Sequence, residues 1–300
     1  MENYEVFHSI YGLTVDAVQP VAVGDFQFFD LIRHENYVAS KYHLNVESKL
    51  FRFENGCDSC VSIQIPASTI DEAKDQATEC FTHLQNYFRF AMNSLLDHDF
   101  DVGIYNYKRP NRNYYLILSN NADGQEGFNA LGGFRKIDIS AFTNNIYFSY
   151  IASIITKDTP NELEKRKLIA LDFLGESQHT FGSAVSLFQL VAAIDALIGD
   201  NVRSQKCLFK KHVAQLLGNS SDEQQAIEKE AERLYNIRSK IAHGEKNQVQ
   251  LQDCKSACTI AYKAYTEMIS NQAILKINTY SELKQYLKER ELYRDANVQD

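Results

Sequence analysis

Hydrophobic positions along the chain repeat with two different periods. Up to about residue 66 they alternate or cluster in β-branched and aromatic runs, EVFHSIYGLTV, VAVGDFQFFDL, KLFRFEN and CVSIQIP, separated by Gly, Asn and Pro. Such runs predict strands. A helical stripe then takes over. Thr69 with Glu72 forms a capping box, and Ala73, Ala77, Phe81, Leu84, Phe88 and Leu95 share one face of a long helix reaching about Asp97. Strand-like runs return at GIYNYK, YYLILS and KIDIS, with a basic turn, KRPNRN, between two of them and a Gly- and Asn-rich loop at 120–133. The segment 142–156, FTNNIYFSYIASIIT, is apolar all round and fits either a buried helix or strands.

From Thr159 the period is helical throughout. Thr159, Pro160, Asn161 and Glu162 read as an N-cap, a proline at the first helical position and an acid in the first turn. Helices follow at about 160–178, 181–199, 204–217, 221–243, 250–273 and 279–293. Ser220 with Glu223, and Thr279 with Glu282, repeat the capping box. Short loops between long helices make neighbours antiparallel, hence a bundle. The expected fold class is α+β: a β-rich domain with one long helix over 1–158, then an all-α bundle over 159–300.

Composition adds three limits. With 300 residues and 44% hydrophobic content, the chain can bury two modest cores. No apolar run of about 18 residues is present, and MENYEVFHS has neither the basic nor the apolar region of a signal peptide, so a cytoplasmic protein without a membrane partner is expected. Net charge is −8, but of 31 Lys+Arg and 39 Asp+Glu, residues 1–159 hold 12 and 20 while 160–300 hold 19 and 19. The acidic excess therefore belongs to the first half. RSQKCLFKKH, 203–212, sets Arg203, Lys206, Lys210 and Lys211 on one short helix, either a solvated face or a phosphate-binding one.

Six cysteines are scattered, and a cytosolic chain keeps them reduced. Cys57 and Cys60 with Cys254 and Cys258 would make a four-cysteine zinc site, but the first pair reads better as a turn around Asn55-Gly56 and the second as small core residues. No metal or other cofactor is expected. Phosphate loops, dinucleotide fingerprints, H-E-x-x-H and G-x-S-x-G are all absent from the sequence.

One stretch concentrates candidate chemistry: LYNIRSKIAHGE, 234–245. Ala231, Leu234, Ile237 and Ile241 keep the helical stripe, and Gly244 stands where a helix C-terminus takes a left-handed residue, so His243 falls in the last turn. Arg238 and His243 are five residues apart, roughly 140° in azimuth. An Arg that forks onto phosphate oxygens beside a His that moves a proton near neutral pH suits phosphodiester cleavage. A surface Arg and a His favouring the helix dipole fit the same spacing.

The segment Tyr235 to Gly244, of the form Tyr-x-x-Arg-Ser-x-Ile-x-His-Gly, resembles the ribonuclease motif of the HEPN family, in its ApeA-like branch of anti-phage and abortive-infection proteins. AVSLFQLVAAIDALIGD resembles that family's upstream helix, with Asp195 at the acidic position where Glu is commoner; Ser239 stands where many members carry Asn, Asp or His. The likeness spans roughly residues 160–275. It implies a HEPN-like bundle with metal-independent endoribonuclease activity. Arg238 would hold the phosphorane oxygens and His243 would transfer the proton, with Ser239 and Asp195 orienting them. Lys240, Lys206, Lys210 and Lys211 are the candidate RNA contacts. It also implies a homodimer joined near 181–199 and 230–245, and leaves residues 1–158 to sense a phage component or other regulatory partner. The alternative is a catalytically silent HEPN-like module for dimerisation or binding.

Overall fold

The computed structural model describes residues 2–30, 32–42, 59–93, 103–104, 137–143, 145–200, 205–245 and 248–291. The chain divides into two compact units, 1–156 and 157–300. The fold is mixed α+β, an antiparallel sheet followed by a helical second half.

In the first unit, β1 (Glu2–Tyr11), β3 (Val21–Val23), β4 (Phe26–Asp30), β5 (Ser59–Ala67) and the short β6 (Gly103–Ile104) form one sheet in the order β3-β4-β5-β1-β6. β2 (Leu13–Thr14) pairs separately with β7 (Ile137–Asp138). β1 and β5 run antiparallel from Glu2↔Ala67 to Ile10↔Ser59. Alternation along β5 buries Val61, Ile63, Ile65 and Ala67 while Gln64 and Pro66 stay exposed. Over this surface lies α2 (Ile70–Asn93), started by Thr69, whose hydroxyl accepts the Glu72 N–H at 3.2 Å. Its stripe Ala73, Ala77, Phe81, Leu84 and Phe88 is buried. Leu95, KLFRFEN, YYLILS, KRPNRN and the loop 120–133 lie outside the described residues.

Two parts of this unit depart from the sequence reading. Residues Glu35–Tyr42 form a helix, α1, which no periodic stripe announces. The ambiguous run is helical: α3 (Ser140–Thr143) and α4 (Ile146–Ile155), the latter capped by Asn145, whose side chain accepts the Tyr147 N–H. Phe148 of α4 stacks on Tyr87 of α2 with centroids 5.0 Å apart. A helix that meets packed aromatic neighbours loses the polar face that periodicity needs.

The second unit contains α5 (Glu162–Ser177), α6 (Ala184–Ile198), α7 (Gln205–Leu217), α8 (Ser221–Ala242), α9 (Leu251–Ser270) and α10 (Tyr280–Glu289). The first helix starts two residues later than Thr159 and Pro160 suggest. Asn161 is its cap, accepting the Glu164 N–H at 2.9 Å while Glu164 accepts the Asn161 N–H at 2.7 Å. α6 is the central rod, packed on by α5, α9, α8 and α7. Leu187, Leu190, Val191, Ala193, Ile194, Leu197 and Ile198 are all buried along it. An apolar helix surrounded on most sides is the expected centre of a bundle. Among the described residues, no helix is long and apolar enough to cross a membrane.

Candidate functional site

The end of α8 is built locally. The helix runs to Ala242 with His243 as its C-cap, and Gly244 takes φ +74°. Gly244 N–H donates to Ile241 O at 3.0 Å and Glu245 N–H to Lys240 O at 2.8 Å. These two bonds make a Schellman motif, in which the left-handed residue lets the chain reverse over its own last turn. The His243 N–H donates to Ser239 O at 3.1 Å, so Ser239 supports the His243 backbone through its carbonyl. The His243 side chain is exposed, as is that of Lys240.

Arg238, one turn earlier, is held differently. Its guanidinium lies over the Phe188 ring of α6 at 5.0 Å from the centroid and 5.8 Å from that of Tyr235 on its own helix. Its Nε is buried and has no hydrogen-bond partner. A charged donor buried against π-faces is stabilised by the ring quadrupole but keeps unused hydrogen-bonding capacity. The residue as a whole is half-buried, so part of the side chain other than Nε reaches solvent.

Asp195 belongs to this arrangement. It follows Phe188 by seven residues, which places both on one stripe of α6. Burial holds its carboxyl above the usual carboxylate range, with the positive charges of Arg238 and then Arg166 opposing the shift only in part. Gly199 is packed so closely against it that a Cβ there would stand 2.1 Å from Oδ1 of Asp195. Arg238 and Asp195 are thus electrostatic neighbours across α6 and α8, while His243 projects from the helix end.

The basic face of α7 is occupied. Lys206 Nζ is 2.9 Å from Oε1 of Glu232, and Lys210 Nζ is 3.0 Å from Glu232 and 3.2 Å from Glu228. Lys211 pairs with Glu291 at 2.8 Å. These lysines therefore present matched charges rather than a bare cationic face. Their partners Glu228 and Glu232 sit four apart, on one face of α8. Exposed pairs of this kind contribute little to stability and exchange readily. Arg203 lies outside the described residues, and Lys240 is the candidate contact that stands exposed next to the motif.

Of the cysteines considered for a metal, Cys57 is outside the described residues. Cys60 is buried in β5, and Cys254 is buried with its thiol donating to Ser183 O at 3.6 Å. Sequence reasoning did not find Arg166, Phe188 or Gly199. The i, i+7 spacing of Phe188 and Asp195 is a usable signal for the first ring; Arg166 reaches the site from another helix and leaves no local mark. Comparison of the chain with family models, with curated proteins and with solved structures returns no match.

Proposed function

We propose that the helical unit is a metal-independent endoribonuclease of the anti-phage or toxin type, working at the C-terminal end of α8. The observation that carries this reading is that an exposed His243 and a half-buried Arg238, seated on Phe188 with no hydrogen-bond partner on its Nε, share one helix end. The first can exchange protons with solvent and substrate, and the second retains donors for an anion.

The chemistry needs two proton transfers. A 2′-hydroxyl loses its proton and attacks the adjacent phosphorus. The 5′-oxygen leaves and takes up a proton, giving a 2′,3′-cyclic phosphate and a 5′-hydroxyl end. Arg238 stabilises the added negative charge on the phosphorane oxygens. His243, exposed at the helix end, serves as the acid or the base. Asp195, an electrostatic neighbour of Arg238, orients it, and Lys240 is the exposed cation next to the motif for the RNA backbone. Because five residues of helix turn Arg238 and His243 roughly 140° apart, a single motif encloses a phosphate poorly, and two copies facing each other would bring an Arg and a His to one groove. A homodimer joined near 181–199 and 230–245 follows from this reading. A role for residues 1–158 in sensing a phage-derived or regulatory partner, in the cytoplasm, belongs to the same proposal.

A second reading is a HEPN-like dimerisation or binding module. The observation favouring it is that Arg238 is stacked on two aromatic rings and Lys206, Lys210 and Lys211 are ion-paired, as structural residues would be. Incubating the purified chain with RNA in excess chelator and analysing the new ends separates the two. Cleavage with cyclic phosphate ends is expected, and intact RNA together with a stable dimer would favour the module.

A further inference from the structure

The C-terminal end of α6 carries more polar contacts than a helix end requires. Arg166 of α5 donates through Nη1 to Ala196 O and to Gly199 O, each at 3.1 Å, and its guanidinium lies 3.9 Å from the centroid of the Tyr280 ring. The Tyr280 hydroxyl donates to Ile198 O at 2.7 Å, and Nδ1 of His212 bonds the same carbonyl at 3.0 Å. Lys284 pairs with Asp200 at 3.0 Å, and Glu162 approaches Nε of Arg166 at 3.8 Å. Cations and donors at a helix C-terminus offset its dipole, and that would account for one of these groups.

Arg166 does something the others do not. The carbonyl it grips at Gly199 belongs to the residue whose α-carbon abuts the Asp195 carboxylate. Gly199 N–H in turn donates to Asp195 O at 2.7 Å. Gly199 has φ −68°, an ordinary value, so glycine is required here for space alone. Any side chain would stand in the carboxylate's place. Arg166 therefore fixes the notch that receives Asp195, and it does so from a rigid mount, stacked and doubly bonded.

We infer that Arg166 is a positioning residue for Arg238, acting through Asp195: by clamping the Ala196 and Gly199 carbonyls it fixes the Asp195 carboxylate on the stripe of α6 that also carries Phe188, the ring on which Arg238 rests. The inference rests on the nuclease reading for its consequence, but not for its geometry. The charged and titratable groups around this helix end are Arg166 and Glu162 on α5, Asp200 after α6, His212 on α7, Arg238 on α8, and Tyr280 and Lys284 on α10. Among them, Arg238 and Arg166 favour the ionised carboxylate. Removing Arg166 withdraws one of two supporting charges and loosens the notch together. Arg238 then keeps its ring but loses a fixed counter-charge.

Two measurements test this on the full chain. The first follows the Asp195 carboxyl by carbon-detected NMR titration, assigned with Asp195→Asn, and does not depend on catalysis. In Arg166→Met, which keeps an apolar stem over Tyr280, the carboxyl should titrate at higher pH than in the parent, and Arg166→Lys should restore most of the difference. An unmoved titration overturns the inference. The second measures metal-free RNA cleavage. Arg166→Met should lower kcat roughly tenfold to a hundredfold with little change in KM, since small misplacements near a reacting group are that costly. In the Asp195→Asn background the same change should cost nothing further. An equal loss in both backgrounds makes Arg166 merely structural and refutes the positioning role. A shifted titration in a chain that cleaves no RNA leaves the clamp standing and removes the nuclease.

Discussion

Arg238 of α8 rests on the ring of Phe188 of α6, its guanidinium carbon 5.0 Å from the ring centroid. This contact ties the motif helix to the centre of the bundle one turn before the helix ends. It fixes the Arg while leaving His243 free at the tip, so the two residues of the motif should respond differently to substitution.

His243→Ala removes an exposed side chain from a cap whose hydrogen bonds are all backbone. Its unfolding free energy should lie within about 0.5 kcal/mol of the parent. RNA cleavage, and any growth arrest on expression, should fall roughly 10²- to 10⁴-fold. Parallel denaturant melts and cleavage assays check both, and a variant as toxic as the parent would sink the assignment.

Arg238→Ala should cost activity and stability together, because it also strips the cover from Phe188. If two copies share one site, mixing Arg238→Ala chains with His243→Ala chains should recover cleavage that neither has alone. Sedimentation during turnover is the companion measurement. A fully active monomer is incompatible with the shared site.

Two glycines make opposite predictions. At Gly244, φ is +74° and a Cβ would meet nothing within 4 Å, so Gly244→Ala should cost about 1–2 kcal/mol from backbone conformation alone. At Gly199 the backbone is ordinary, but a Cβ would stand 2.1 Å from Asp195 Oδ1 and 2.4 Å from Asp195 O. Gly199→Ala should cost about 1–3 kcal/mol by overpacking and should also lower cleavage. Thermal melts paired with kinetics would reveal whether only the second couples to Asp195.

Lys167 of α5 is 1% exposed, and burial draws its ammonium down to about 8, with Glu164 opposing. Below that pH both folded and unfolded chains hold the proton, and the folded state carries the full cost of a buried charge. As pH rises from about 8 toward 10.5 the folded state releases the proton first, so the unit gains stability, by an amount of order 3 kcal/mol. Tyr280 and Cys254, both raised by burial, work in the opposite direction toward the top of this window. Urea melts at pH 7 and 9 should therefore compare the parent with Lys167→Met, which should lack the Lys167 contribution.

How much of this was readable beforehand depends on whether the information is local. α6, α7, α8 and α10 begin and end within a few residues of their expected bounds because caps and stripes are encoded in neighbouring residues. The same holds for Thr69 over α2 and Gly244 after α8. Glu35–Tyr42 was missed because ENYVASKY has no continuous apolar stripe. FTNNIYFSYIASIIT stayed ambiguous because Phe148 and its neighbours are buried among aromatic rings. At the site, Arg238 and His243 were visible as a spacing. The seat of Arg238 on Phe188, the clamp from Arg166, and the capture of Lys206 and Lys210 by Glu232 are pairings between separate helices, and no single stretch of chain spells them out.

The capping boxes at Asn161 and Thr279, the hydroxyl cap at Ser220 and the turn at Gly244 have a kinetic consequence. Each instructs a helix using residues three to five apart, so the helical unit can nucleate its parts before they meet. The central sheet pairing of the first unit cannot. It joins Glu2 to Ala67 and Ile10 to Ser59, across dozens of residues that must close as a loop first. Refolding from denaturant should therefore proceed in two phases, the helices of 157–300 within the fast range of local-contact bundles and the sheet later. On a ribosome the order of synthesis is the reverse: the slow unit emerges first and has the longer time to close.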